Sequence, residues 1–205
     1  MIYLFIDTSI SFPTIHIIKD NEVLFTFHEE IKTDMSSRIL PIIDEGFKKL
    51  DISLNLIDKI FVVTGPGSFT GVRIGVTIAK TLAWALNKPL IPLSSLEYMA
   101  TTHSNKKYLV PMIDARRGNV FSGIYDVDLE CVLGDCLIDV ETLLEDKNSD
   151  YELISYDNIK NSIKPIPDVL KIVNKHLNAE GVNPHNLKPN YLKLTEAEER
   201  RLEND

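Results

Sequence analysis

A chain of 205 residues with 44% hydrophobic and 25% charged side chains has the make-up of a globular protein with a substantial core. No apolar run approaches a bilayer span, and Met1-Ile-Tyr-Leu-Phe-Ile-Asp7 lacks the basic region and cleavage site of a secretion signal, so a cytosolic protein with no membrane segment is expected. A net charge of −8 argues against a lone nucleic-acid binder, and Cys131 and Cys136 are too few for a disulfide framework or a four-cysteine zinc site.

In chain order, Ile2 to Ile6 is a short apolar run closed by Asp7-Thr8-Ser9, the pattern of a buried strand meeting a polar turn. Thr14 to Lys19 and Val23 to Phe27 are β-rich runs separated by the turn pair Asp20-Asn21. From 34 to 50 the period changes, with Ile39, Ile43, Phe47 and Leu50 on one helical face and Asp34 or Ser36 available as a cap. Pro41 requires that this helix either start late or bend. Ile60 to Thr64 reads as a strand buried on both faces, followed by a glycine-rich turn and a long helix. Leu90 to Leu93 is a further strand, and Ser94 or Ser95 opens a small helix. The order is βββαβαβα.

The second half repeats part of that unit. Leu109 to Ile113 ends on Asp114 as the first strand ends on Asp7. Val120 to Tyr125, Cys131 to Ile138 and Glu152 to Ser155 are strand candidates, and Val169 to Leu177 a helix. The expected organisation is an α/β fold of duplicated lobes with the second reduced: 1–103, 104–194, and a charged tail over 195–205. Acidic excess is larger in the second half, with 13 basic and 19 acidic residues over 104–205 against 9 and 11 over 1–103. Beyond Lys106-Lys107, Arg116-Arg117 and Arg200-Arg201 no basic cluster stands out, so an RNA substrate would be held by another subunit.

Thr64-Gly-Pro-Gly-Ser-Phe-Thr-Gly-Val-Arg-Ile-Gly75 aims backbone N–H groups above a strand end, which suits an anion or simply makes a tight turn. Its spacing is neither GxGxxG nor GxxxxGK[ST]. The phosphate-loop candidates are Asp7, Thr8, Ser9, Gly65 and Gly67. The helix of 70–87 carries only Arg73 and Lys80 as charges, and a helix apolar all round must be covered all round, by a second chain or by its own second half. Gly75, Ala79 and Ala83 form a small-residue edge suited to close helix contact, flanked by Val72, Val76 and Leu86. With Ile39 and Ile43 these form the expected partner interface, and Ala79→Glu or Gly75→Arg is expected to break pairing in a folded monomer. The five histidines, His16, His28, His103, His176 and His185, include no pair four apart, so no helical metal site and no catalytic residue is assigned.

The segments IDTS, SRILP (Ser37 to Pro41), TGPGSFTGVRIG, PLSSLE (Pro92 to Glu97), IDARRGNVF (Ile113 to Phe121) and PNYLKLTEAEERRLE resemble, in order and over nearly the full length, the TsaB (YeaZ) family. The chain departs from the family pattern at Met35, where many members have histidine, and in a short stretch over 145–180. The resemblance implies two lobes of the actin, hexokinase and Hsp70 (ASKHA) kind, and a non-catalytic subunit acting with TsaD and the ATPase TsaE. It implies that TsaD carries the metal and places threonylcarbamoyl on N6 of adenosine 37 in tRNAs reading ANN codons. The expected partners are a TsaD homologue through the first-lobe helices, a TsaE homologue, and a second copy when alone, with tRNA met only through the complex. No cofactor is expected to bind tightly, although ATP or ADP at the junction with the partner stays open. The alternatives are a stand-alone ASKHA phosphotransferase or ATPase, which needs a second acid and an adenosine pocket, and the older metalloprotease label, which needs an HExxH-like ligand set that is missing.

Overall fold

The computed structural model describes residues 1–145 and 150–192. The expected order is present: β1 (Ile2–Asp7), β2 (Thr14–Lys19), β3 (Glu22–His28), α1 (Met35–Lys49), β4 (Lys59–Val63), α2 (Phe69–Leu86), β5 (Leu90–Leu93) and α3 (Ser95–Met99). After it come β6 (Tyr108–Asp114), β7 (Asn119–Asp126), β8 (Cys131–Asp139), α4 (Val140–Glu145), β9 (Tyr151–Ser155) and α5 (Val169–Lys175). The first sheet runs β3-β2-β1-β4-β5 and the second β8-β7-β6-β9. In each, the leading strand pairs antiparallel with the next and parallel with the strand after the first helix of its lobe. That shared plan is the duplication, and the second copy is the smaller one.

Strand alternation distributes β1 between two cores. Leu4 and Ile6 face α1 and α2 together with Ile39, Ile43, Phe47 and Ala79. Tyr3 and Phe5 face the opposite way, into a layer with Leu96 of α3, Phe121 of β7 and Ile172 of α5. Both faces of β1 and β4 are therefore dry, which explains their unbroken apolar runs. The second sheet uses its far face to hold Val110, Met112 and Val120 under Leu143.

Local chemistry departs from expectation in two helix details. α1 begins at Met35 and runs through Pro41, while Asp34 stands in the left-handed region with no side-chain cap bond. Its carbonyl instead receives the Ser37 N–H and hydroxyl. α2 is capped by Ser68, whose oxygen accepts from Gly71 N, and α3 by Ser94.

The expected partner interface lies elsewhere than on these helix faces. Ile39, Ile43, Val72, Gly75, Val76, Ala79 and Ala83 are buried in the chain's own core, and Leu86 packs half-buried at its edge. The small-residue edge does allow close approach, but to β1: a Cβ on Gly75 would lie 2.3 Å from Thr8 Oγ1, and one on Gly71 2.1 Å from the Thr8 carbonyl. The outward face of α2 is a different one, carrying Ile74, Thr77, Ile78, Thr81, Leu82 and Ala85. Residues 182–192 return to the first lobe as a strap along α2, bridging Val182 to Leu90 and donating Asn190 N to Thr64 O at 2.7 Å. The expected tail over 195–205 lies outside the described residues.

Candidate functional site

The two leading strands end beside one another, and their turns form opposite walls of a cleft of about 970 Å³. Ser9, Phe12 and Ser68 line one side, Asp114, Arg116 and Tyr156 the other, and Asn190 to Leu192 of the strap close an end. Sequence reading placed Asp7 and Asp114 correctly at matching strand ends.

The phosphate-loop candidates are nevertheless turned inward. Burial favours the neutral form of Asp7 and raises its carboxyl above the usual range, an effect that the 2.8 Å bond from Ser9 N to Oδ1 only partly offsets. Thr8 is fully buried and its hydroxyl donates to Gly71 O at 2.7 Å. The Ser9 hydroxyl, also buried, lies beside the Asp7 carboxyl without hydrogen-bond geometry. The glycine corner sits directly on this turn, with Ser68 N donating to Ser9 O at 2.7 Å and Gly67 pressed against the same carbonyl. Gly65 points its carbonyl to Ser95 N, and Pro66, in a cis peptide after Gly65, accepts from the Ser95 hydroxyl. Apart from the Ser9 hydroxyl, which has no partner among the described residues, the polar side-chain atoms of Asp7 and Thr8 and the carbonyls of Gly65 and Ser9 are taken up in joining β1, α2 and α3. The structural-turn reading of the glycine corner is the one the geometry supports.

The second turn is built the other way. Asp114 is exposed, accepts Arg116 N at 2.8 Å, and is steadied by its own N–H to Asp157 Oδ2 at 2.7 Å. Arg116, Arg117 and Gly118 all have positive φ, a conformation that costs a non-glycine residue about 1 kcal/mol or more. Among the described residues, no group of three His, Cys, Asp or Glu side chains is placed to hold a metal ion.

Where the lobes meet on the far side, Asp135 of β8 accepts from Ser94 Oγ and Tyr125 OH, both at 2.5 Å. Beside it Glu97 of α3 meets His176 Nε2 at 2.9 Å and Lys175 Nζ at 3.3 Å. Desolvation pushes the Glu97 carboxyl up, but its contacts with His176 and Lys175 outweigh it and leave it lowered. Sequence reading missed this seam because its members come from four separate elements.

It also missed the clasp on the strap. Arg73 lies over the Phe69 ring at 3.9 Å and donates Nε to Tyr191 OH at 2.7 Å, while Tyr191 stacks on Phe69 at 4.8 Å. Lys80 donates to the carbonyls of Leu187 and His185. The detectable signal was the spacing of Arg73, Lys80 and Trp84, which share one helical face.

Two lobes on one strand plan, facing each other across a shared cleft, define a duplicated α/β fold with a reduced second copy. A family model described as "TsaD: tRNA N6-adenosine threonylcarbamoyltransferase" matches residues 29–187. The chain is 34% identical over 228 residues to the tRNA threonylcarbamoyladenosine biosynthesis protein TsaB of Bacillus subtilis, with 99% of each chain covered. It is also 36% identical over 78 residues to the tRNA N6-adenosine threonylcarbamoyltransferase of Persephonella marina, a match to 34% of this chain and 23% of that protein. A crystal structure from Pseudomonas aeruginosa, described as similar to peptidase YEAZ, superposes with a TM-score of 0.80 at 22% identity, covering 94% of this chain and 99% of that one. The chain belongs to the TsaB (YeaZ) family.

Proposed function

We propose that this protein is the non-catalytic partner of a tRNA N6-adenosine threonylcarbamoyltransferase, needed for threonylcarbamoyl to be placed on adenosine 37. The observation that carries the reading is the end-to-end match to a tRNA threonylcarbamoyladenosine biosynthesis protein. The buried Asp7 carboxyl and Thr8 hydroxyl support it, because both are bonded within the fold, to Ser9 N and Gly71 O. The docking surface is the outward apolar face of α2, Ile74, Ile78 and Leu82, together with α1 around Leu40, which is 47% exposed. A homologous transferase offers the same pair of helices, so the two chains meet as pseudo-equivalents, with a second copy taking that place when the transferase is missing and the ATPase TsaE joining the assembled pair in the cytoplasm. Transferase and chain should co-elute in gel filtration, and Ile78→Glu should abolish co-elution while leaving the circular dichroism spectrum intact. Depleting the chain should remove threonylcarbamoyladenosine from tRNA nucleoside digests; full modification in its absence would refute the assignment.

A further inference from the structure

The flank of α2 that faces neither core nor the partner face carries a different chemistry. Arg73, Lys80 and Trp84 lie within about 60° of one another around the helix and span about 16 Å along it. The strap runs antiparallel beside them and adds His185 and Tyr191, with the exposed Lys188 between them in sequence. On a chain of net charge −8, residues 59–96 and 181–192 contain no Asp or Glu at all. The nearest acid in sequence to the strap is Glu180, at its foot. Lys88 and Lys188 pair with no carboxylate among the described residues.

Trp84, the only tryptophan, is 65% exposed at the end of this flank. Its ring meets His185 edge-on at 6.3 Å and forms the wall of an open depression of about 440 Å³. The depression is completed by Asn87, Lys88, Asn183 and Pro184. An exposed indole face, two amides able to meet a base edge, and lysines on either side form the combination that receives an unstacked base and its flanking phosphates. An acidic protein would use the lysines but has no use for the amide-lined indole wall. A duplex keeps its bases stacked and offers Trp84 nothing.

We propose that this flank is a contact site for a single-stranded RNA segment, with Trp84 stacking on one base and Arg73, Lys80, Lys88 and Lys188 meeting phosphates. The inference extends the tRNA reading above, because it gives this chain its own hold on the RNA at a flank separate from the partner face, where sequence analysis expected RNA to be met only through the complex.

The test uses the isolated chain, so partner binding cannot confound it. Titration with an oligo(A) RNA of about ten nucleotides should quench Trp84 fluorescence. Affinity should fall with salt at a log–log slope of about −2 to −3, as four phosphate contacts on a single strand require. By anisotropy of the labelled RNA, Trp84→Ala should weaken binding about ten-fold and Trp84→Phe much less. Lys88→Glu combined with Lys188→Glu should weaken it at least ten-fold and flatten the salt slope. The same RNA annealed to its complement should bind several-fold more weakly, and a poly-glutamate peptide should leave Trp84 unquenched. Absence of quenching at low salt, equal binding by the peptide, or full affinity in Trp84→Ala would each overturn the proposal. Loss of transferase co-elution in Ile78→Glu with RNA binding unchanged separates the two readings.

Discussion

Asp7 and Asp114 occupy the same place in two copies of one plan, yet one is sealed and the other open. Over Asp7 lies an eighteen-residue helix whose glycines let it press onto the turn. The matching helix of the second lobe, α5, has seven residues and packs elsewhere, and the Asp114 turn is left to hold itself up by an Asp–amide bond and left-handed backbone. The difference shows what the glycine corner does. It makes the loop after β1 a joint between strand and helix.

The largest effect should come from filling that joint. Gly75→Arg places a Cβ 2.3 Å from Thr8 Oγ1, with a long cation behind it in a dry core. The variant should be insoluble or lack a cooperative melting transition, where sequence reading expected a folded monomer that merely fails to pair. A folded Gly75→Arg chain would break the comparison.

Next comes pH. His16 lies buried on β2, bonded to Thr26 Oγ1 at 3.0 Å, and burial lowers it from 6.5 to about 4. Since the folded form resists protonation, its contribution is complete above pH 6.5 and is lost as pH falls toward 4, at a cost of about 3 kcal/mol. Urea midpoints should drop over that window, and His16→Gln should flatten the profile. Asp7 works in the opposite sense: its raised carboxyl favours the fold at low pH and loses that contribution as pH rises through the folded value.

Thr8→Val keeps the shape of the joint but removes the bond from the Thr8 hydroxyl to Gly71 O, and should cost about 1–1.5 kcal/mol by thermal denaturation. The smallest effect belongs to the open copy. Asp114→Ala removes an exposed bond and should cost about 0.5–1 kcal/mol by the same measurement. Equal losses at Thr8 and Asp114 would mean that the two turns are alike after all.

Element order was legible because period and punctuation mark it: Asp7 and Asp114 close their strands, Asp20-Asn21 turns a hairpin, and Ser94 opens the small helix. What α2 faces was not legible. A helix with two charges among its eighteen residues has no polar stripe to mark its outside, and a row of Gly75, Ala79 and Ala83 announces close approach without saying to what. The neighbour turned out to be Thr8, more than sixty residues away and already described for another role. The clasp of Arg73 on Tyr191 spans 118 residues, with nothing local to either that predicts the other.

That long reach bears on how the molecule comes into being. A ribosome delivers β4 and the glycine corner early, but the Thr64 carbonyl that ends β4 meets its N–H partner only when Asn190 emerges. The corner over the first turn is thus begun before the second lobe is made and fastened only after it, so a nascent chain stopped short of the strap carries an unfinished edge at Leu90 and Thr64.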